Sequence, residues 1–153
     1  MTRAVSAIER ESYRILESRA GTSRLPPLTR AVVERVVHAS ADLDYVSDLV
    51  CDEDALARGL AALRSGAAVV VDVEMVAAGI TARDVVCRIA DARAARGVTR
   101  SAAAVRLAYA DVGPGAVWVV GNAPTALQEI LALGVEPAFV VGLPVGFVGA
   151  VES

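Results

Sequence analysis

Over the first half of the chain, apolar positions recur with a helical period. Val5, Ile8, Ile15 and Leu16 keep that spacing among charged residues up to Gly21, a residue type that ends helices. After a loop through Ser23, Pro26 and Pro27 start a second helix, since proline is well tolerated in a first turn. Val32, Val33, Val36 and Val37 form its apolar stripe. Leu56, Leu60 and Leu63 form another, in a helix opened by Asp52 as N-cap and closed at Gly66.

From Ala68 onward the pattern changes to short β-branched runs. Residues 68–73, 116–120 and 138–141 look like strands buried on both faces. Residues 84–89 fit either element, and their Val and Ile content favours a fourth strand. Residues 100–109 and 123–133 are helical, the latter with Asn122 as cap, Pro124 in its first turn and Gly134 at its end. Strands alternating with helices predict an α/β fold: a mainly parallel sheet flanked by helices, Rossmann-like and three-layered, behind a helical N-terminal third. The Pro/Gly turn after the last strand should deliver a further helix, so the expectation is one domain over residues 1–153 that is C-terminally incomplete.

Composition sharpens the picture. The chain has 153 residues, enough for one domain with a real core, and 55% of them are hydrophobic but only 4% aromatic, so that core is aliphatic. Arg residues supply every basic side chain, 15 against 18 Asp plus Glu, and the net charge of −3 argues against a nucleic-acid partner. Arginine also suits fork-like recognition of carboxylates. No apolar run, residues 138–151 included, is long enough for a membrane span, and the opening residues read as an amphipathic helix and not a signal peptide. The expectation is a soluble, cytoplasmic protein with no membrane partner. Cys51 and Cys87 have neither CxxC spacing nor a histidine at zinc-ligand distance, so they read as buried free thiols.

His38, the only histidine, is the only side chain that titrates near neutrality without a large perturbation. It stands beside the valine stripe and shares an accessible helix face with Glu34 and Arg35. It is either a general acid-base or an idle surface residue. Asp72 and Glu74 leave the first strand on one side of the chain, which suits paired acid-base work or a structural hydrogen bond and a helix cap; with one histidine in the chain, no metal is expected. Thr99, Arg100 and Ser101 open a helix whose free N–H groups could hold an anion, or simply cap it, and residues 121–124 form a similar turn. None of the glycines forms a nucleotide fingerprint, and no nucleophile elbow is present.

Six stretches, in order, resemble one family. They are residues 8–15 (IERESYRI), 33–38 (VERVVH), 72–80 (DVEMVAAGI), 99–104 (TRSAAA), 121–127 (GNAPTAL) and 143–149 (LPVGFVG), and the family is the precorrin-8X methylmutases. The resemblance implies an isomerase of cobalamin biosynthesis that works without a cofactor. It shifts a methyl group from C-11 to C-12 of precorrin-8X to give hydrogenobyrinate, or acts on the cobalt-carrying equivalent, cobalt-precorrin-8. The family's catalytic histidine corresponds to His38. Ser12 and Arg35 would contact substrate, and Thr81, Arg100, Ser101 and Asn122 would line the same pocket. A homodimer holding the tetrapyrrole at its interface is also implied. Set beside the family, the stretch from Thr81 to Asp91 looks compressed, and the expectation is a chain that lacks the family's C-terminal strand and Gly- and Arg-rich segment beyond Ser153. Two other functions compete: a non-catalytic tetrapyrrole binder, and a small α/β domain that binds a phosphorylated metabolite at Thr99, Arg100 and Asn122.

Overall fold

Caps set the helix boundaries in the computed structural model, which describes residues 6–150 and Ser153. Val5 of the first stripe, and Val151 and Glu152 near the end, lie outside the described residues. Helix α1 (Ala7–Ala20) starts at Ser6, whose hydroxyl accepts the Glu9 N–H at 3.1 Å, and stops at Gly21 with φ +60°. Helix α2 (Pro27–Ser40) has its proline in the first turn, as expected. The N–H groups of Leu28 and Thr29 donate to the Glu53 carboxylate at 2.8 Å each, and the Thr29 hydroxyl donates to it at 2.7 Å. A negative charge is favoured there by the helix dipole.

The loop expected between α1 and α2 contains a 3-10 turn, Thr22–Arg24. It forms because buried Thr22 donates its hydroxyl to Glu34 at 2.6 Å; Glu34 also accepts from Arg30 Nε at 2.6 Å. Burial pushes the Glu34 and Glu53 carboxyls up, but these hydrogen bonds outweigh it and hold both below the ordinary value. A single turn, α3 (Tyr45–Asp48), was not legible from the apolar pattern. Leu16, Val33 and Val37 form the buried apolar centre of this region, with Leu25, Val46 and Leu49 packed on it. Helix α4 (Glu53–Arg64) follows, with Asp52 accepting the Ala55 N–H at 2.6 Å as the expected cap.

The described chain falls into two compact units, Met1–Ala57 and Arg58–Ser153, divided within α4. The second holds the sheet: β1 (Val69–Val71), β2 (Val86–Cys87), β3 (Val117–Val120) and β4 (Phe139–Gly142), all parallel in the order β2-β1-β3-β4. The ambiguous segment is thus a strand, though only two residues long. Helices α5 (Glu74–Gly79), α6 (Arg100–Val112) and α7 (Pro124–Leu133) complete the unit.

Alternation along the strands sends side chains to two faces. Val70, Trp118 and Val120 meet Val105 and Ala108 of α6 and Ala126 and Ile130 of α7. Val69, Val71 and Val117 meet Ala62 and Leu63 of α4 and Val76 and Ala77 of α5. These are the three layers that the α/β pattern predicts. Gly59 makes the second contact possible: a Cβ there would lie 2.6 Å from the Phe139 ring. This close approach explains a glycine inside a helix, where it costs about 1 kcal/mol relative to alanine. No helix among the described residues is long and apolar enough to cross a membrane.

Candidate active site

Val33 and Val37 turn inward on α2, so His38, one position further on, emerges at the rim of the helical unit's core. Ser12 of α1 meets it there, with Oγ 2.9 Å from Nδ1. The imidazole stacks on Tyr13, ring centroids 4.6 Å apart and planes 7° from parallel. Two consecutive α1 side chains therefore hold the ring, one at its edge and one on its face. The Ser12 hydroxyl can donate to a bare Nδ1 or accept from Nδ1–H. In either tautomer Nε2 has no hydrogen-bond partner among the described residues. An oriented ring with one engaged nitrogen and one open nitrogen is the arrangement a general acid-base needs.

His38 borders a cleft of about 160 Å³, whose walls include Ser12, Ile15, Leu16, Arg19 and Val37. Ala41 also lines it and ends α2 at φ +57°, the one non-glycine residue with positive φ among those described. That conformation costs an L-residue roughly 1–2 kcal/mol, and such strain concentrates at functional sites. A more open groove of about 510 Å³ runs along α1 past Ile8 and Glu11, and it shares Ser12 and Ile15 with the cleft. Arg35 is exposed and is not among the residues lining the cleft.

In the sheet unit, the chemistry-bearing residues follow the carboxyl ends of the strands. Strand order reverses between β1 and β3, the switch point at which open α/β sheets form a crevice. Asp72, just past β1, is buried there and crosses to the turn after β3. One of its carboxylate oxygens accepts the Gly121 N–H at 3.2 Å, and the other accepts the N–H groups of Asn122 and Ala123 at 2.9 and 2.7 Å. Gly121 is also tightly placed, since a Cβ would come within 2.7 Å of Val76.

This corrects two expectations. Asn122 does not cap α7: the capping position belongs to Ala123, with no side-chain cap. Nor are the 121–123 N–H groups an anion site, because the protein's own carboxylate already occupies them. Asp72 is the structural hydrogen-bonding residue, and not half of an acid-base pair. Thr99 caps α6 by accepting the Ala102 N–H at 3.2 Å, and its hydroxyl also contacts the Thr125 hydroxyl at 2.8 Å. Ordinary capping is therefore its role.

Of the residues that the resemblance marks, the structure brings Ser12 and His38 into contact. Thr81 is exposed in the coil after α5, Arg100 is exposed at the first position of α6, and Ser101 and Asn122 are half-buried. Those four belong to the sheet unit, while Ser12, Arg35 and His38 belong to the helical one. Cys51 and Cys87 are free and half-buried, and burial pushes both thiols up, which makes them poor nucleophiles.

The sequence profile of one family, Precorrin-8X methylmutase, matches residues 7–153. The chain belongs to the precorrin-8X methylmutase family. The cobalt-precorrin-8 methylmutase of Salmonella typhimurium is 39% identical to it, over 95% of this chain and 78% of the relative. The precorrin-8X methylmutase of Pseudomonas aeruginosa is 40% identical, over 96% of this chain and 77% of the relative. Among solved structures, the precorrin-8X methylmutase of Thermus thermophilus matches with a TM-score of 0.81 and 38% identity, covering 95% of this chain and 78% of that one.

Three features of the site's surroundings are not encoded in the apolar pattern of the chain. Tyr13 adjoins Ser12 in the chain, yet nothing in the apolar period joins it to His38. Arg19 was signalled only by its place seven residues after Ser12, on the same helix face. Asp72 stands out at a strand end, but its three N–H donors lie about fifty residues away in the chain.

Proposed function

We propose that this chain catalyses the reaction for which its family is named, moving a methyl group from C-11 to C-12 of precorrin-8X or of its cobalt-carrying equivalent. The observation that carries this reading is the family match, together with a histidine oriented by Ser12 and Tyr13 whose Nε2 is open.

The rearrangement is redox-neutral and changes no atom count, so it consumes no oxidant, reductant or nucleophile. It needs a proton placed on or near the ring to draw electron density from the carbon that receives the methyl; His38 supplies that proton and takes one back once the methyl has moved, so the product remains an isomer of the substrate. Ser12 keeps the imidazole in register and, in this reading, also borders the substrate. Arg35, Arg100 and the polar groups of Thr81, Ser101 and Asn122 answer the macrocycle's peripheral carboxylates. Binding then holds one tautomer of a charged ligand close to the transition-state geometry.

The cleft beside His38, about 160 Å³, falls below the usual few hundred Å³ of a small-molecule pocket. Further protein surface must enclose the tetrapyrrole, and a homodimer supplies it in this proposal. We place the reaction in the cytoplasm.

Loss of the methyl from C-11 turns that carbon from sp³ to sp² and extends conjugation, so turnover is read as an absorbance change on mixing with precorrin-8X. His38→Ala is expected to slow conversion by about 10²–10⁴-fold while still binding hydrogenobyrinate. Near-wild-type turnover by that variant would remove the proton role. Tight hydrogenobyrinate binding by the unaltered protein with no conversion of substrate would leave a tetrapyrrole binder instead of an enzyme.

A further inference from the structure

We propose that Arg19 anchors a peripheral carboxylate of the tetrapyrrole beside His38 and so sets where the macrocycle lies relative to the imidazole. The proposal rests on the methylmutase reading above and adds a residue that the family resemblance did not mark. Helical spacing brings Ser12, Ile15 and Arg19 to one face of α1, at i, i+3 and i+7. All three line the cleft that His38 borders. Apart from His38, Arg19 is the only ionisable side chain among the lining residues. Beyond the Ser12 hydroxyl, the wall formed by Ile15, Leu16, Val37, Ala41 and Leu43 presents hydrocarbon.

Arg19 is also uncommitted. Arg14, Arg30, Arg88 and Arg106 each bind a carboxylate of the protein, but Arg19 enters no ion pair among the described residues. The two acidic residues nearest to it on its own helix are taken: Glu11 pairs with Arg14 at 2.6 Å and Glu17 with Arg30 at 3.1 Å. What remains is an exposed guanidinium at the end of an apolar strip that begins at Ile8, itself 84% exposed.

That combination fits an apolar disc with carboxylates at its edge. The disc covers Ile8 and Ile15, and one carboxylate meets the guanidinium fork in two parallel hydrogen bonds. Arg35, three residues before His38 on α2, lies outside this cleft. The cation that fixes the substrate next to the imidazole is therefore carried by α1.

The test uses the full chain, hydrogenobyrinate as the binding probe and precorrin-8X as substrate. Arg19→Gln should weaken hydrogenobyrinate binding by about tenfold or more, the worth of a charge-assisted hydrogen bond. It should raise KM similarly and lower kcat as well, because a macrocycle held less firmly beside the imidazole is also less well placed for proton transfer. Arg19→Lys should recover part of the affinity, keeping the charge but not the fork. Arg24→Gln, on an exposed turn away from the cleft, controls for the loss of one positive charge. Affinity of Arg19→Gln equal to wild type, or lowered no more than in Arg24→Gln, overturns the proposal. Failure of the wild-type chain to bind hydrogenobyrinate overturns the methylmutase reading, and the anchor with it.

Discussion

Each of the two units of this chain is stabilised internally in its own way. The sheet unit buries a continuous hydrocarbon core on both faces of four parallel strands, with Trp118, Val70, Val120, Ala126 and Ile130 almost fully enclosed. Among the described residues the helical unit encloses Leu16, Val33 and Val37 as its buried apolar residues, and polar groups do much of the rest: Glu53 ties α4 to the start of α2, and Glu34 joins the Thr22 turn to Arg30. The histidine belongs to the second kind of structure. A titratable ring needs a half-open rim where one nitrogen can be held and the other reached. A thin core edged by hydroxyls and carboxylates provides that, whereas a sheet sealed on both faces offers mainly its carboxyl edge.

The largest expected effect tests the hydrocarbon half of this contrast. Trp118 is 2% exposed and central to the α6/α7 face of the sheet. Trp118→Ala should destabilise the protein by about 3–5 kcal/mol, the range for truncating a buried aromatic. Urea denaturation followed by far-UV circular dichroism measures it. A loss below about 1 kcal/mol would mean that the sheet core is not the main source of stability.

A smaller effect is expected at Asp72, the polar exception within the sheet unit. Asp72→Ala strands the N–H groups of Gly121, Asn122 and Ala123, and should cost about 2–3 kcal/mol after partial rehydration of the turn. Because the bonds are local, hydrogen exchange should accelerate most at those three amides. Uniform acceleration across the whole sheet would instead assign Asp72 a general packing role. If Asn122 contacts the substrate, corrinoid affinity should fall in the same variant.

Much of this architecture was legible in the sequence because it depends on local chemistry. Pro27, Gly21, Gly134 and Asp52 act where proline, glycine and aspartate normally punctuate helices, and the short valine runs at β1 and β3 form strands, as their length and β-branching favour. The six family-like stretches located His38 and Ser12, which do meet. What escaped depends on contacts between distant parts of the chain. Asn122 has the composition of a cap, yet Asp72, fifty residues earlier, satisfies its N–H. The 3-10 turn at Thr22 exists because Glu34 receives its hydroxyl, and the Tyr13 ring partner lies 25 residues along the chain at His38. No periodicity encodes such pairings.

The polar half of the contrast carries a pH dependence of its own. Burial raises the Glu53 carboxyl, but the N–H groups of Leu28 and Thr29 and the Thr29 hydroxyl pull it further the other way, so it lies below the unfolded value of 4.5. Glu34 is lowered in the same sense by Thr22 and Arg30 against its burial. A carboxyl depressed in the folded state binds fewer protons there than in the unfolded chain just below 4.5. Stability from these two groups is therefore complete above that value and lost as pH falls through their folded pKa values. Acid should thus loosen α2 while the sheet persists. Trp118, the single tryptophan, reports the sheet unit by fluorescence, and amide exchange along α2 reports the helical one. On lowering pH from about 6 to 3, α2 protection should fall before the Trp118 emission shifts. In Glu53→Gln, which has no carboxylate to protonate, the acid-dependent part of that fall should shrink and α2 protection at neutral pH should already be lower. Simultaneous loss of both signals in the wild type, or an unchanged acid profile in the variant, would mean that hydrocarbon packing, and not the carboxylate ties, sets the stability of the helices carrying His38.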